Sequence, residues 1–299
     1  MFTVSQANPQ MPALQSDNQQ VQPLNNEHKA EVLSFLAARP LHAFMATSWI
    51  ADNGMVSPFN RGTFYGYRDS EGELEGVALI GHITLIETRT PAALATFATL
   101  AQRCPSVFAV LGEEKKISEF ASHYRKGGTQ PRRVCRELLL EKRTQERLNT
   151  IESLRQARLD ELDLVAPAHA MSAFEESGVN PLEVDADGFR ERCARRIKQG
   201  RVWVAIESGR LKFKADVVSH TPEVIYVEGA YVSSEHRGNG YGARCMTQLT
   251  NHLLNSTKSV CLLVNEKNLA AQASYRKAGY QLREHFDTLY LQHPSQSLN

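Results

Sequence analysis

The tightest constraint on this chain is a six-residue run, Arg237-Gly238-Asn239-Gly240-Tyr241-Gly242, which sets three glycines on alternate positions between a strand-like and a helix-like stretch. Glycine adopts positive φ without steric cost and lets its backbone approach another group closely. A strand that ends in such a loop and runs into a helix turns backbone amides, the unpaired donors of the helix N-terminus and the positive end of its dipole towards one point. That nest suits a pyrophosphate. The spacing is not Gly-x-Gly-x-x-Gly, and no Gly-Lys-Ser/Thr follows, so dinucleotide and nucleoside-triphosphate loops both lose ground.

Strands and helices alternate on either side of the loop. Residues 151–154 read as a strand, and Asp160 opens a helix on which Leu162, Leu164, Val165, Ala168 and Met171 form an apolar face. A second helix spans 186–199 and stops at Gly200. Residues 201–207 and 210–218 read as strands joined by the two-residue turn Ser208-Gly209, and residues 223–233 extend the sheet. Beyond the loop come a helix to about 254, an apolar strand 259–264, a helix 270–278 ended by Gly279, and a strand-rich terminus.

The first half repeats this order. Residues 27–36 have helical spacing, and 62–85 read as two strands around Asp69-Ser70-Glu71-Gly72. Pro91 starts a helix to about 103, a strand follows at 107–111, a helix at 115–124, and a strand at 132–141 with Val134, Leu138 and Leu140 alternating. Residues 142–147 form a charged linker. Where this copy would place the glycine loop, the chain reads Glu87-Thr88-Arg89-Thr90-Pro91-Ala92, with no glycine.

A length of 299 residues favours two domains. Residues 1–26 are polar, with neither a basic start nor an apolar centre, and read as a disordered tail rather than a secretory leader. The domains are then expected at 27–149 and 150–299. No apolar run approaches the ~20 residues that span a bilayer, so no membrane is expected. With 34 basic against 33 acidic residues, the chain has no electrostatic footprint for nucleic acid. Five scattered cysteines (104, 135, 193, 245 and 261), without a Cys-x-x-Cys pair, argue against a disulfide framework and a zinc site; no metal and a reducing cytoplasm are expected.

The run from Val232 to Gly242 resembles the acetyl-CoA signature of the GNAT superfamily of N-acetyltransferases, a strand end followed by Arg/Gln-x-x-Gly-x-Gly/Ala. Asn268-x-x-Ala271-x-x-x-Tyr275-x-x-x-Gly279-Tyr280 is similar to its second signature. The likeness covers about 151–291, and the first half resembles a degenerate GNAT-type domain without the loop. The fold implied is α/β: two GNAT-like domains, each a mixed, splayed central sheet flanked by helices.

The resemblance implies that Tyr231, Val232 and Ser233 present backbone groups to the pantetheine of acetyl-CoA. Amides of Arg237, Gly238, Asn239, Gly240, Tyr241, Gly242 and Ala243 hold the pyrophosphate, and Asn268 helps to fix the pantetheine. An amine attacks the acetyl carbonyl directly, without metal or covalent enzyme intermediate, while the strand's bulge polarises the carbonyl oxygen and Tyr275 protonates the leaving sulfur. Glu228 shares a strand face with Tyr226, Ala230 and Val232 and is the expected base, although loss of the proton through water makes a single base unnecessary. Glu175 and Glu176, with Gly178, mark the acceptor-side wall.

Other residues carry weaker signals. Cys245 reads as a small packed residue rather than a nucleophile, and His236 as solvent-facing. Asp216, alternating with Lys212 and Lys214, either borders the acceptor groove or pairs across strands. The expected activity is acetyl transfer to a primary amine of a small molecule, peptide or protein. The alternatives are an acyl-CoA-binding sensor without efficient turnover and an aminoacyl-tRNA-dependent transferase.

Overall fold

A computed structural model of the chain describes residues 20–125, 131–147 and 151–291. Most of the tail predicted over 1–26 lies outside these residues. Its end is ordered, however: Val21–Pro23 forms strand β1, antiparallel to Tyr65–Tyr67.

The chain divides into two compact units, residues 1–134 with 287–299, and residues 135–286. The first holds β1, helices α1 (Lys29–Ala37) and α2 (Pro40–Asn53), strands β2 (Gly62–Arg68), β3 (Leu74–Gly81) and β4 (Ile83–Thr88), helix α3 (Pro91–Gln102), strand β5 (Ala109–Glu113) and helix α4 (Glu114–Arg125). The two strands expected over 62–85 are therefore three. Gly81 makes the extra reversal between β3 and β4, where a Cβ would come within 2.2 Å of the Arg61 carbonyl oxygen. Strands β2, β3 and β4 are antiparallel in sequence, and β5 runs parallel to β4.

Strand β6 (Pro131–Lys142) follows, and its residues from Cys135 onwards belong to the second unit. That unit continues through β7 (Leu154–Gln156), α5 (Leu162–Ser177), α6 (Pro181–Val184), α7 (Ala186–Lys198), β8 (Val202–Glu207), β9 (Arg210–His220), β10 (Ile225–Val232), α8 (Tyr241–Leu253), β11 (Val260–Asn265), α9 (Leu269–Lys277) and the first part of β12 (Gln281–Leu291). Its strand order is β7-β8-β9-β10-β11-β6, with β10 and β11 parallel. The turn between β8 and β9 has φ of 50° at Ser208 and 73° at Gly209, the two positive values a tight hairpin needs.

Each unit thus completes its sheet with a strand from the far end of the other's sequence. Strand β6 pairs antiparallel with β11, and Leu138 and Leu140 pack in the second core. Residues Leu289 and Leu291 of β12 pack in the first core, where the Leu291 amide donates to the Phe108 carbonyl. For this reason the division falls after residue 134, upstream of the boundary drawn at 149 from the sequence.

In the second unit the β10 alternation separates two faces. Ile225 and Val227 join the core under α8, whereas Tyr226 and Glu228 lie on the other face. The apolar face expected on α5 is only partly present: Val165 and Ala168 are buried, but Leu164 and Met171 are exposed. The buried residues of α5 instead follow Val165, Ala166, Ala168 and Ala170, small side chains that let the helix lie close. Among the described residues no helix is long and apolar enough to cross a membrane, and all five cysteines are free and buried.

Candidate active site

Strands β10 and β11 pair only at Ile225–Val260 and Tyr226–Cys261 and then part, because β10 bulges. Glu228 faces Asp216 and Tyr231 faces Lys214, so Gly229 and Ala230 together oppose the single residue Ala215. Gly229 has φ of 58°, and a Cβ there would lie 3.1 Å from Lys214 Nζ, so both conformation and space call for glycine. The bulge breaks the ladder and leaves backbone groups of β10 directed into the gap.

The glycine loop opens beside this gap. Gly238 and Gly240 have φ of 80° and 76°, and Gly240, the N-cap of α8, has no side chain with which to cap it. Asn239 Oδ1 accepts from the Tyr241 amide (3.1 Å), which leaves the amides of Gly242 and Ala243 directed out of the helix. Gly242 is needed for close approach: a Cβ there would come within 2.8 Å of Val232 Cγ2. Arg237 Nε donates to the Val232 carbonyl (2.9 Å) and ties the loop to the strand end. Lys277 supplies a charge that sequence reasoning missed; its Nζ would lie 3.2 Å from a Cβ on Gly240. An anion would therefore meet two helix amides and an ammonium.

Asn268 is the N-cap of α9, its Oδ1 accepting from the Ala271 amide (3.0 Å). That cap sets the start of the helix that carries Tyr275. Tyr275 is half-buried, with its ring edge-on to Tyr280 at 5.9 Å, and burial, reinforced by the charge of Glu176, pushes its phenol up to about 12. Glu176 ends the opposite wall on α5. Burial, assisted by the charges of Glu228, Glu137 and Glu175 and opposed by Lys214, pushes its carboxyl up to about 8. Solvent reaches Glu176 and, in part, Tyr275, although protein surrounds both at longer range, as expected of groups lining an open cleft.

Beneath the bulge lies a polar cluster that the sequence did not announce. Lys214 and Asp216 are fully buried, and Lys214 Nζ donates to Asp216 Oδ2 at 2.5 Å. His169, from α5, places Nδ1 2.7 Å from the same oxygen. A carboxylate oxygen only accepts, so Nδ1 carries the hydrogen. Burial and the Lys214 charge lower the His169 pKa, keeping the ring neutral. Arg196, from α7, donates from Nη1 to Glu228 Oε1 (3.2 Å) and comes within 3.6 Å of Asp216 Oδ2. Of the two readings open for Asp216, bordering the acceptor groove or pairing across strands, the structure shows a third arrangement: Asp216 sits in register with Glu228 but pairs with Lys214 of its own strand, whereas Lys212 turns away to Glu207.

His236, expected in solvent, is half-buried: Nδ1 lies 2.9 Å from Ser233 Oγ, and the ring tilts against Tyr241 at 5.2 Å. Cys245 is fully buried, and burial pushes its thiol up to about 12, the opposite of an activated nucleophile. Glu175 is exposed on the last turn of α5, and Gly178 ends that helix with φ of 69°.

The first unit lacks this apparatus. Strand β4 pairs with β3 in unbroken register over residues 85–88, and α3 begins with Thr90 capping the Ala93 amide (3.3 Å) and Pro91, which has no N–H to offer. Beyond the last β4–β5 pair, Glu87 and Glu113 are bridged by Arg39 (3.0 and 2.7 Å) and Lys116 (2.9 and 3.2 Å). Burial opposes the Glu113 charge, but the hydrogen bond from Arg39 and the Lys116 charge hold its carboxyl down to about 2. A depressed carboxylate contributes stability above its unfolded pKa of 4.5 and loses it as pH falls towards 2. Arg39→Met is expected to destabilise the protein by about 2 kcal/mol at pH 7 and by much less at pH 3. Denaturant unfolding at the two pH values measures the difference, and equal losses would show that Arg39 contributes packing rather than charge.

Residues 171–280 match the acetyltransferase (GNAT) family. No curated protein matches the chain in sequence. Among solved structures, a Drosophila protein aligns with a TM-score of 0.65 at 11% identity, over 92% of this chain and 99% of its own. A tandem GNAT protein from the clavulanic acid biosynthesis pathway aligns with a TM-score of 0.55 at 15% identity, over 90% and 98%. A GNAT-family acetyltransferase from Colwellia psychrerythraea gives 0.53 at 14%, over 91% and 99%. These likenesses establish the fold, and the family match falls on the segment that contains the bulge, the glycine loop and Tyr275. Residues 171–280 therefore form a domain of the acetyltransferase (GNAT) family, set within a chain whose fold is that of the tandem GNAT protein.

Proposed function

We propose that the second unit transfers an acetyl group from acetyl-CoA to a primary amine. The observation that carries this reading is the glycine-led N-terminus of α8, with the amides of Gly242 and Ala243 left uncapped, beside the bulged end of β10. The amides of Gly242 and Ala243, with Lys277, would hold the pyrophosphate; Tyr231 to Ser233 would border the pantetheine, with Asn268 at the start of α9. Bound there, acetyl-CoA supplies an activated acetyl thioester.

The chain's own groups then divide the work. The bulge at Gly229 and Ala230 turns backbone donors towards developing negative charge on the acetyl oxygen, in a site too preorganised to reorient. A new C–N bond forms as the C–S bond breaks. The Tyr275 phenol stays protonated to about pH 12, so it can give its hydrogen to the leaving sulfur. Of the two protons an ammonium sheds on becoming an amide, one leaves through a carboxylate to solvent and the other balances the proton gained by sulfur.

Glu228 was the carboxylate expected to act as base, but its Oε1 accepts from Arg196. We therefore assign the base to Glu176, whose carboxyl exchanges its proton near neutrality and whose charge is felt by Tyr275. Free, buried thiols support a reducing compartment such as the cytoplasm.

Calorimetric titration with acetyl-CoA and with CoA, followed by an assay of free CoA release on adding amines, tests the reading. One-site binding with amine-dependent release supports it; binding without release would make the protein an acyl-CoA sensor. Tyr275→Phe is expected to keep acetyl-CoA affinity within a few-fold and to lower kcat by about 10²-fold, the usual worth of a general acid. Unchanged kcat would reduce Tyr275 to a packing residue.

A further inference from the structure

The acceptor side of the cleft has a polarity of its own. Glu176, whose charge reaches Tyr275, is itself surrounded mainly by acidic charge, from Glu228, from Glu137 on β6 opposite Asn265, and from Glu175 on α5. Arg196 stands against Glu228, and Lys214, whose charge also reaches Glu176, lies buried against Asp216. Lys214 and Arg196 are matched there by Asp216 and Glu228, so this end carries no net charge to attract a simple anion. The neutral imidazole of His169 adds none.

Arg196 is nevertheless only half used. Both of its ion pairs run through Nη1. Nε and Nη2 lie side by side along the other edge of the guanidinium, and neither has a partner among the described residues. That edge is a planar two-pronged donor whose spacing matches the two oxygens of a carboxylate. Arg196 is held in place from below by Asp216 and from the side by Glu228, so its orientation is set before any ligand arrives.

Resting on the acetyl-transfer reading above, we propose that the acceptor is a short aminocarboxylate, an α-amino acid or close relative, with its ammonium beside Glu176 and its carboxylate on the Nε–Nη2 edge of Arg196. Glu228 bonds Arg196 directly and its charge is felt at Glu176, so the two ends of such a ligand would fall within the field of one carboxylate. An aminocarboxylate meets the acidic cluster with its ammonium and the unpaired guanidinium edge, rather than any net positive charge, with its carboxylate, and only one orientation presents the amine towards Glu176. A diamine would set a second cation against Arg196, and an amine without a carboxylate would leave the fork unpaired.

The experiment compares the twenty free amino acids with their carboxamides as acceptors, at fixed acetyl-CoA, by release of CoA. Wild-type protein is expected to favour the acid over its amide by about 10- to 100-fold in kcat/KM, mainly through KM, the range of a charge-assisted hydrogen-bonded pair. Arg196→Gln is expected to bring that ratio close to one, and Arg196→Lys, which keeps the charge but not the fork, to leave it in between. Acids and amides used equally by wild-type protein, or an equal loss for both in Arg196→Gln and Arg196→Lys, would overturn the assignment. Should wild-type protein turn over other amines but neither acids nor amides, this inference fails while the acetyl-transfer reading stands; release of CoA with no amine at all would overturn both.

Discussion

Replacing Gly240 by glutamate is expected to lower CoA affinity by at least about 100-fold, close to abolition in a calorimetric titration. Three effects add. The residue sits at φ of 76°, a conformation that costs a side-chain-bearing residue about 1–2 kcal/mol, so the loop would relax away from its present course. The new Cβ would point at Lys277 Nζ, 3.2 Å away, and a glutamate would engage the ammonium that the anion needs. Its own charge would then stand where the pyrophosphate belongs, at the positive end of α8. Each tenfold loss corresponds to about 1.4 kcal/mol, so strain and repulsion together reach the expected range. Gly240→Ala, which keeps only the strain, should lose less. Thermal unfolding without ligand tells a misfolded variant from a non-binding one. A folded Gly240→Glu protein that holds CoA within a few-fold of wild type would remove the loop from the cofactor site.

The same loop shows what a sequence can disclose. Gly238, Gly240 and Gly242 act locally: positive φ at two of them and a close approach to Val232 at the third follow from residue type and spacing. Pro91 at the first turn of α3 and Ser208-Gly209 at the β8–β9 turn were legible for the same reason. Helix α2 was not. Its fourteen residues bury Ala43, Phe44, Met45, Ala46, Ser48 and Ile50, a spread around the helix with no amphipathic period to read. The placing of β6 beside β11 was hidden in another way: alternation at Val134, Leu138 and Leu140 marks a strand but carries no information about which sheet it joins.

At the candidate site the difficulty was one of partners. Strand alternation put Glu228 on the right face, yet its hydrogen bond comes from Arg196, 32 positions upstream on α7. Lys214 and Asp216 read only as alternating strand residues at a groove or paired across strands, because nothing in a strand pattern says that an imidazole from α5 will cover them and the bulge at Gly229 will leave them room. The raised carboxyl of Glu176 arises first from desolvation and then from the charges of Glu228, Glu137 and Glu175, which come from three different elements. Local chemistry was readable and convergence was not.

That convergence makes Glu176 the residue whose loss should cost the reaction most. Glu176→Gln is expected to lower kcat by about 10²- to 10⁴-fold, the range for removal of a general base, while acetyl-CoA still binds. The pH dependence separates this role from a packing defect. A base must be ionised, so wild-type kcat/KM should rise with pH through about 8, where burial and neighbouring charge have moved the Glu176 carboxyl. In Glu176→Gln that limb should vanish, leaving ionisation of the acceptor ammonium at higher pH. In Glu228→Gln it should survive, displaced downwards because one of the negative neighbours of Glu176 is gone. Stability supplies an independent sign. Below pH 4.5 the carboxyl is neutral folded or unfolded and contributes nothing. As pH rises towards 8 the unfolded chain ionises first, so wild-type protein loses stability across that interval. Glu176→Gln escapes this loss and should melt higher than wild type at pH 8.5 but not at pH 4. A limb near pH 8 that persists in Glu176→Gln and disappears in Glu228→Gln would transfer the base to Glu228 and make the Arg196 bond a contact that breaks when the acceptor binds.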